Sequence, residues 1–170
     1  GAIWIHDLSG NSAARRLTVD GQGNNRYPVW SADSQRVTFQ SDREKDPGIF
    51  WQRADGAGAA ERLLTAAEGT ELVPESWSPD GRWLATASYD RSIRLWKVAD
   101  HSLVWSNFVH NGAVFDLAFD PSGAVLASAS ADQTVKLWRV RDGLRLDTLN
   151  QPQGDLNRVL FTPDGQHVLA

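Results

Sequence analysis

The sequence predicts an all-β fold made of repeated four-stranded sheets, and two spacings carry that prediction. An aromatic residue followed by turn chemistry recurs as Trp30-Ser31-Ala32-Asp33, Trp77-Ser78-Pro79-Asp80-Gly81, Phe119-Asp120-Pro121-Ser122-Gly123 and Phe161-Thr162-Pro163-Asp164-Gly165, at intervals of 47, 42 and 42 residues. A second set, Ile3–His6, Ile49–Gln52, Ile93–Lys97 and Val135–Arg139, follows a similar period out of phase. The clearest unit is Val114–Val140. There Val114–Phe119 alternates apolar and polar residues, Asp120–Gly123 is a turn, and Val125–Ser130 and Thr134–Val140 flank a second turn at Ala131-Asp132-Gln133. A three-stranded meander of this size cannot bury its own faces and needs copies of itself.

A period of about 40–45 residues with four strands per unit is that of a β-propeller blade. Because the two sets are out of phase, the N-terminus opens on a third strand, Ile3–His6, with Arg15–Thr18 as its fourth, and the C-terminus stops inside a second strand at Val168–Ala170. Each end therefore holds half a blade. Pairing the end strands would satisfy open edge hydrogen bonds, so four four-stranded blades per chain are expected, one completed by the N- and C-terminal strands. A closed four-bladed monomer is one solution. An eight-bladed ring built as a homodimer is favoured, because it keeps a wider rotation per blade and buries two open faces by twofold symmetry.

With 170 residues and 41% hydrophobic content, a single propeller unit over residues 1–170 is expected rather than two independent domains. The net charge is −4 and the cations are scattered, Arg15-Arg16 being the densest cluster, which disfavours nucleic acid as a partner. No stretch approaches the roughly 18 apolar residues of a membrane helix, and the start lacks a basic region before an apolar one, so no membrane association is expected. Nothing in the sequence fixes a cellular location. There is no Cys for a disulfide or thiolate site, and with no Met, Gly1 is expected to be a trimmed start. His6, His101, His110 and His167 are dispersed without ligand spacing, so no metal is expected. The loop Asp42-Arg43-Glu44-Lys45-Asp46 alternates in sign and lacks calcium-loop spacing, which makes it a solvated hairpin. Gly21-Gln22-Gly23 and Gly56-Ala57-Gly58 complete no phosphate-binding motif, and no cofactor is expected.

From Leu84 onward the runs LATASYDRSIRLWKV and LASASADQTVKLWRV resemble WD-repeat blades. The earlier runs, with TFQSDR at Thr38–Arg43 and ERLLT at Glu61–Thr65, resemble TolB-type propeller repeats. The change falls inside a blade, and all five Glu residues (Glu44, Glu61, Glu68, Glu71 and Glu75) precede it. A chimera of residues 1–84 and 85–170 is the expectation this raises; natural divergence of a repeat array is the alternative.

The WD-repeat resemblance implies a structural tetrad of His110, Ser130, Asp132 and Trp138. In it His110 bonds Asp132, and Ser130 or Ser128 bridges to the indole N–H of Trp138. Buried groups of these types must satisfy one another. In the preceding blade Ser88, Asp90 and Trp96 match, while the His position falls at Glu68, and in the last repeat it falls near Pro152. A hydrolase triad of Ser130, His110 and Asp132 is disfavoured by the absence of a nucleophile elbow and oxyanion donors. Trp30, Trp77 and Trp138 sit at repeat positions where blade core is expected; Trp83 and Trp105 are the better candidates for exposed contacts. The functional expectation is a non-catalytic scaffold, engineered or recombined, whose partner is a second copy of itself. The alternative is a natural propeller binding a peptide or protein on one face, and an enzyme comes last. A cluster of exposed aromatic and Arg side chains would favour the second reading; several perturbed ionisable groups would favour the third.

Overall fold

The computed structural model describes residues 1–10, 13–67, 70–150, 154 and 156–170. Two compact units divide the chain, Gly1–Pro74 and Glu75–Ala170. The expectations attached to Glu68 and Pro152 lie outside the described residues.

The first unit opens on β1 (Trp4–Ile5) and β2 (Arg15–Arg16), an antiparallel pair with Trp4 opposite Arg16. The ladder continues through the Leu17 N–H, which donates to the Ile3 carbonyl at 2.8 Å. A four-stranded meander follows, β3 (Arg26–Trp30), β4 (Arg36–Ser41), β5 (Gly48–Arg53) and β6 (Glu61–Thr65), in the order β3-β4-β5-β6. Its central strands β4 and β5 are buried along almost their whole length, so their sequences VTFQS and GIFWQ run without alternation. Ile3 and Leu17 pack with Val37, Phe39 and Phe50, the two phenylalanine rings lying 6.4 Å apart and nearly parallel.

The second meander is β7 (Val73–Trp77), β8 (Trp83–Ala87), β9 (Ser92–Lys97) and β10 (Leu103–Phe108); β7 runs across the division between the units. The third is β11 (Val114–Phe119), β12 (Val125–Ser130), β13 (Thr134–Arg139) and β14 (Arg145–Asn150). A last pair, β15 (Leu160–Phe161) and β16 (Val168–Leu169), is antiparallel with Leu160 opposite Leu169. Among the described residues there are thus three complete four-stranded sheets and a two-stranded sheet at each end, in the phase the two sequence spacings predict.

In the second unit the sheets stack through small residues on one side and large ones on the other. Ala85, Ala87, Ile93 and Leu95 of one sheet share a core with Val114, Leu117, Phe119, Leu126 and Trp138 of the next. Ala127, Ala129 and Val135 in turn meet Leu156 and Val159 ahead of β15. Alanine on the second strand lets a neighbouring sheet approach closely, and Trp138, 1% exposed, fills the space that remains.

The tryptophans divide differently from their repeat positions. Trp138 is core, but Trp30 is 48% exposed, because β3 is an edge strand with four of its five residues exposed. Trp83 and Trp105 are partly buried and pack against the core of the second unit rather than standing out. Trp105 donates from its indole to the Val140 carbonyl at 2.7 Å and lies so close to Gly143 that a Cβ there would meet its ring at 2.9 Å. Each turn between second and third strands ends on a non-glycine residue at positive φ: Lys45 (78°), Arg91 (75°) and Gln133 (64°). Their N–H groups close the turns onto the carbonyls of Asp42, Ser88 and Ser130.

Candidate functional site

The loop entering β11 carries His110, and the β12–β13 turn carries Asp132. His110 Nδ1 lies 2.9 Å from Asp132 Oδ2, and Nε2 lies 2.7 Å from Ser128 Oγ. The Trp138 indole donates to the same Ser128 Oγ at 2.9 Å. Of the two hydroxyls the resemblance leaves open as the bridge, Ser128 is the one that meets both His110 and Trp138, and Ser130, the one named in the tetrad, does not. Register explains the difference. Ser128 shares a sheet face with Trp138, whose direct partner is Leu126, so the indole reaches it diagonally. Ser130 sits at the turn, where its hydroxyl donates to the Gly112 carbonyl at 3.2 Å and accepts the Asp132 N–H at 3.1 Å.

Burial disfavours the His110 imidazolium and outweighs the pull of Asp132, holding the ring's pKa below its usual value. A neutral ring donates from Nδ1 to Asp132 and accepts at Nε2 from Ser128. Burial opposes ionisation of Asp132, yet hydrogen bonds from Thr134, the Asn111 N–H and His110 overcome it and hold its pKa well below the carboxylate range. Lys136, itself buried, adds an ammonium 3.5 Å from Asp132 and 2.9 Å from Thr134 Oγ1. Ser128, His110 and Asp132 have the connectivity of a hydrolase triad, but Ser128 is 0% exposed, which leaves a substrate carbonyl no approach to its oxygen.

The preceding sheet repeats part of this design. Trp96 donates to Thr86 Oγ1 at 2.9 Å, so Thr86 takes the bridging role and Ser88 the turn role. Asp90 accepts from Ser92 and from Arg94 Nη2 at 2.9 Å, making its charged partner local. The first unit uses different chemistry at the matching turn. Arg43, with a side chain 4% exposed, bonds Asp20 at 2.9 Å and Asn25 Oδ1 at 3.0 Å, and its guanidinium lies 5.3 and 5.2 Å from the Phe39 and Phe50 rings. The sequence presents Arg43 as one charge in a solvated loop; its place two residues after the β4 Ser is the only signal of a buried role. Gly23 and Gly112 are tightly enclosed. A Cβ on Gly23 would meet the Arg43 N at 2.6 Å, and one on Gly112 the Asp132 N at 2.7 Å.

At this same end of the β7–β10 sheet, aromatic and cationic side chains gather around the Ser88–Ser92 turn. Tyr89, 54% exposed, meets the Phe115 ring edge-on at 6.2 Å. Phe108, 67% exposed, lies under the Arg94 guanidinium at 5.6 Å, and Arg91 is exposed at the tip of the turn. In the first unit the corresponding end carries an open cleft of about 750 Å³, lined by Arg26, Ser41, Asp42, Asp46, Thr65 and Glu71 among others. Two carboxyl groups are raised by burial, Glu75 of β7 and Asp116 of β11, both on first strands of their sheets. Among the described residues no cluster of His, Cys, Asp and Glu could hold a metal ion.

Residues 73–97 and 102–139 match the WD domain, G-beta repeat family. The match covers all four strands of one sheet, β7–β10, and three of the next, β11–β13. The match begins at residue 73, so it takes in β7 as well as β8 and β9. The chain is 30% identical over 96 residues to the WD repeat-containing protein slp1 of Schizosaccharomyces pombe, covering 56% of this chain and 20% of that protein. It is 35% identical over 83 residues to a subunit of chromatin assembly factor 1 of Saccharomyces cerevisiae, covering 49% and 16%. Protein HIR1 of Yarrowia lipolytica is 29% identical over 94 residues, covering 55% and 9%. The chain thus spans a fifth or less of these relatives. The crystal structure of RRP9 WD40 repeats superposes with a TM-score of 0.70 at 21% identity, covering 82% of this chain and 42% of that one. The structure of U3-55K gives 0.67 at 21%, with the same coverage. The fold is that of a WD-repeat β-propeller. Among the described residues no helix is long and apolar enough to cross a membrane.

Proposed function

We propose that this chain is a non-catalytic WD-repeat module that binds a protein partner through an extended segment carrying a carboxylate beside an apolar side chain. The observation that carries this reading is the aromatic and arginine cluster of Tyr89, Phe108, Phe115, Arg91 and Arg94 at one end of a WD repeat. Exposed aromatics next to arginine are the side chains that dominate binding energy at protein interfaces, and the exposed Arg91 guanidinium selects for a carboxylate. Kinship with a component of a chromatin assembly factor supports a role among protein assemblies. The comparisons favour this protein-binding reading over the engineered, self-assembling chimera. The sealed Ser128–His110–Asp132 arrangement supports the absence of catalysis.

Fluorescence polarisation with short labelled peptides tests it, using Asp-Leu and Glu-Phe motifs against counterparts in which Lys replaces the acid. The acidic peptides bind in preference, and Phe108→Ala and Arg91→Gly each weaken them at least about tenfold, a loss of about 1.4 kcal/mol. Equal binding of acidic and Lys peptides, or unchanged affinity in both variants, overturns the reading. Ring closure by a second copy rests on the two-stranded sheets at the chain ends; its signature is a constant solution mass twice that of the 18.7 kDa chain, and a constant single-chain mass removes it.

A further inference from the structure

We propose that Asn111 and Gly112, in the loop entering β11, form a self-modification site, where the chain converts Asn111 to aspartate or isoaspartate through a cyclic imide and loosens the buried network beside it with age. Packing dictates the second residue of the pair. A Cβ on Gly112 would meet the Asp132 N at 2.7 Å, the Ala131 carbonyl carbon at 2.9 Å and the Ala131 Cβ at 3.0 Å. The β12–β13 turn thus leaves no room for a side chain after Asn111, and glycine leaves its own nitrogen unshielded. Among the described residues no backbone hydrogen bond engages the Gly112 N–H.

The asparagine is equally open. Asn111 is exposed. Its main-chain N–H donates to Asp132 Oδ2 at 2.9 Å, and the Gly112 carbonyl accepts from the Ser130 hydroxyl at 3.2 Å, so the backbone on either side of the pair is anchored. The Asn111 carboxamide makes no hydrogen bond among the described residues and is free to rotate onto the Gly112 nitrogen. Other asparagines are held. The Asn25 carboxamide donates to the Gly1 and Gln22 carbonyls at 3.2 Å each and accepts from Arg43 at 3.0 Å, and that of Asn107 donates to the Gly143 carbonyl at 2.8 Å. The residues that follow these two, Arg26 and Phe108, carry large side chains.

The chemistry needs only hydroxide and water. Hydroxide removes the Gly112 amide proton and the nitrogen attacks Asn111 Cγ. The new N–Cγ bond closes a five-membered imide, the Cγ–Nδ2 bond breaks, and the departing nitrogen takes a proton from water and leaves as ammonia. A water molecule then opens the ring. Attack at Cγ gives aspartate; attack at the main-chain carbonyl gives isoaspartate, which routes the backbone through one additional carbon, a lengthening of about 1.5 Å. Either product places a new carboxylate on the residue whose N–H holds Asp132, and like charges oppose one another there. The isoaspartyl link also displaces the enclosed Gly112. Both effects strain the bonds from Asp132 through His110 and Ser128 to Trp138.

Incubation of the folded chain followed by peptide mass spectrometry provides the test. The peptide carrying Asn111 loses ammonia, then gains water, and becomes a substrate for an isoaspartyl methyltransferase. It converts at least about tenfold faster than peptides carrying Asn25 or Asn107, a barrier about 1.4 kcal/mol lower. The rate rises with hydroxide concentration from pH 6 to pH 9. Asn111→Gln, which would have to close a less favourable six-membered ring, shows no conversion and keeps the native melting temperature. The modified native chain, separated by charge, melts about 4 °C or more below the fresh one. No conversion at Asn111 in the folded chain beyond that at Asn25 and Asn107, or a modified chain that melts with the fresh one, overturns the proposal. Should Asn111→Gln fail to fold, the mass spectra and melts of the native chain decide alone.

Discussion

Ser128→Ala isolates the hub of the buried network. The Ser128 hydroxyl accepts from the Trp138 indole at 2.9 Å and meets His110 Nε2 at 2.7 Å, and all three residues are buried. Removing one oxygen leaves an indole N–H and an imidazole nitrogen without partners in a site that admits no water from outside. Each stranded group costs about 1–3 kcal/mol, so a total of about 3 kcal/mol is expected. For a chain of this size that is a fall of about 6–12 °C in melting temperature. Ser130→Ala provides the control, because its hydroxyl serves only the turn and the Gly112 carbonyl, and its loss costs about 1 kcal/mol. Circular dichroism melts of the two variants beside the native chain make the comparison. A cost for Ser130→Ala equal to or above that for Ser128→Ala would refute the assignment of Ser128 as the bridge.

The neutral state of His110 adds an acid limb. Its folded pKa lies below the unfolded value of about 6.5, so the unfolded chain takes up the proton first, and stability is lost as pH falls below that value; His110→Gln flattens the melting-temperature profile between pH 7.5 and 5, and an unchanged slope counts against the neutral ring. In the first unit, Arg43→Ala costs about 3 kcal/mol in urea denaturation because it removes a buried guanidinium from between Asp20, Asn25 and two phenylalanine rings. Asp20→Asn costs under about 1 kcal/mol, since Asp20 is 38% exposed; equal costs would contradict this division of roles.

The sheets were legible because their signals are local and periodic. The strands predicted at Val114–Phe119 and Val125–Ser130 have the bounds observed, and the half-sheets at each end follow from counting strands. Ser128 was harder to choose over Ser130, because both lie on the inward-alternating face of β12 and only the diagonal reach of Trp138 separates them. Arg43 was hidden for a different reason: a guanidinium buried by stacking has the same one-letter context as one in a solvated loop. The aromatic cluster joins Tyr89 and Phe108, on one sheet, to Phe115 on the next, and no spacing along the chain announces that meeting.

The turns that close on Lys45, Arg91 and Gln133 have a consequence for what selection has kept in this chain. Each adopts a left-handed backbone, a conformation that costs an L-residue about 1–2 kcal/mol and glycine almost nothing. A chain tuned only for durability would place glycine at all three tips. Instead it displays an ammonium, a guanidinium and a carboxamide on long stems at the same turn of each sheet, tolerating local strain so that three chemically distinct groups project from one kind of position. The tips thus behave as interchangeable letters on a fixed frame, and variation there would alter what the surface says without altering how the sheets are built.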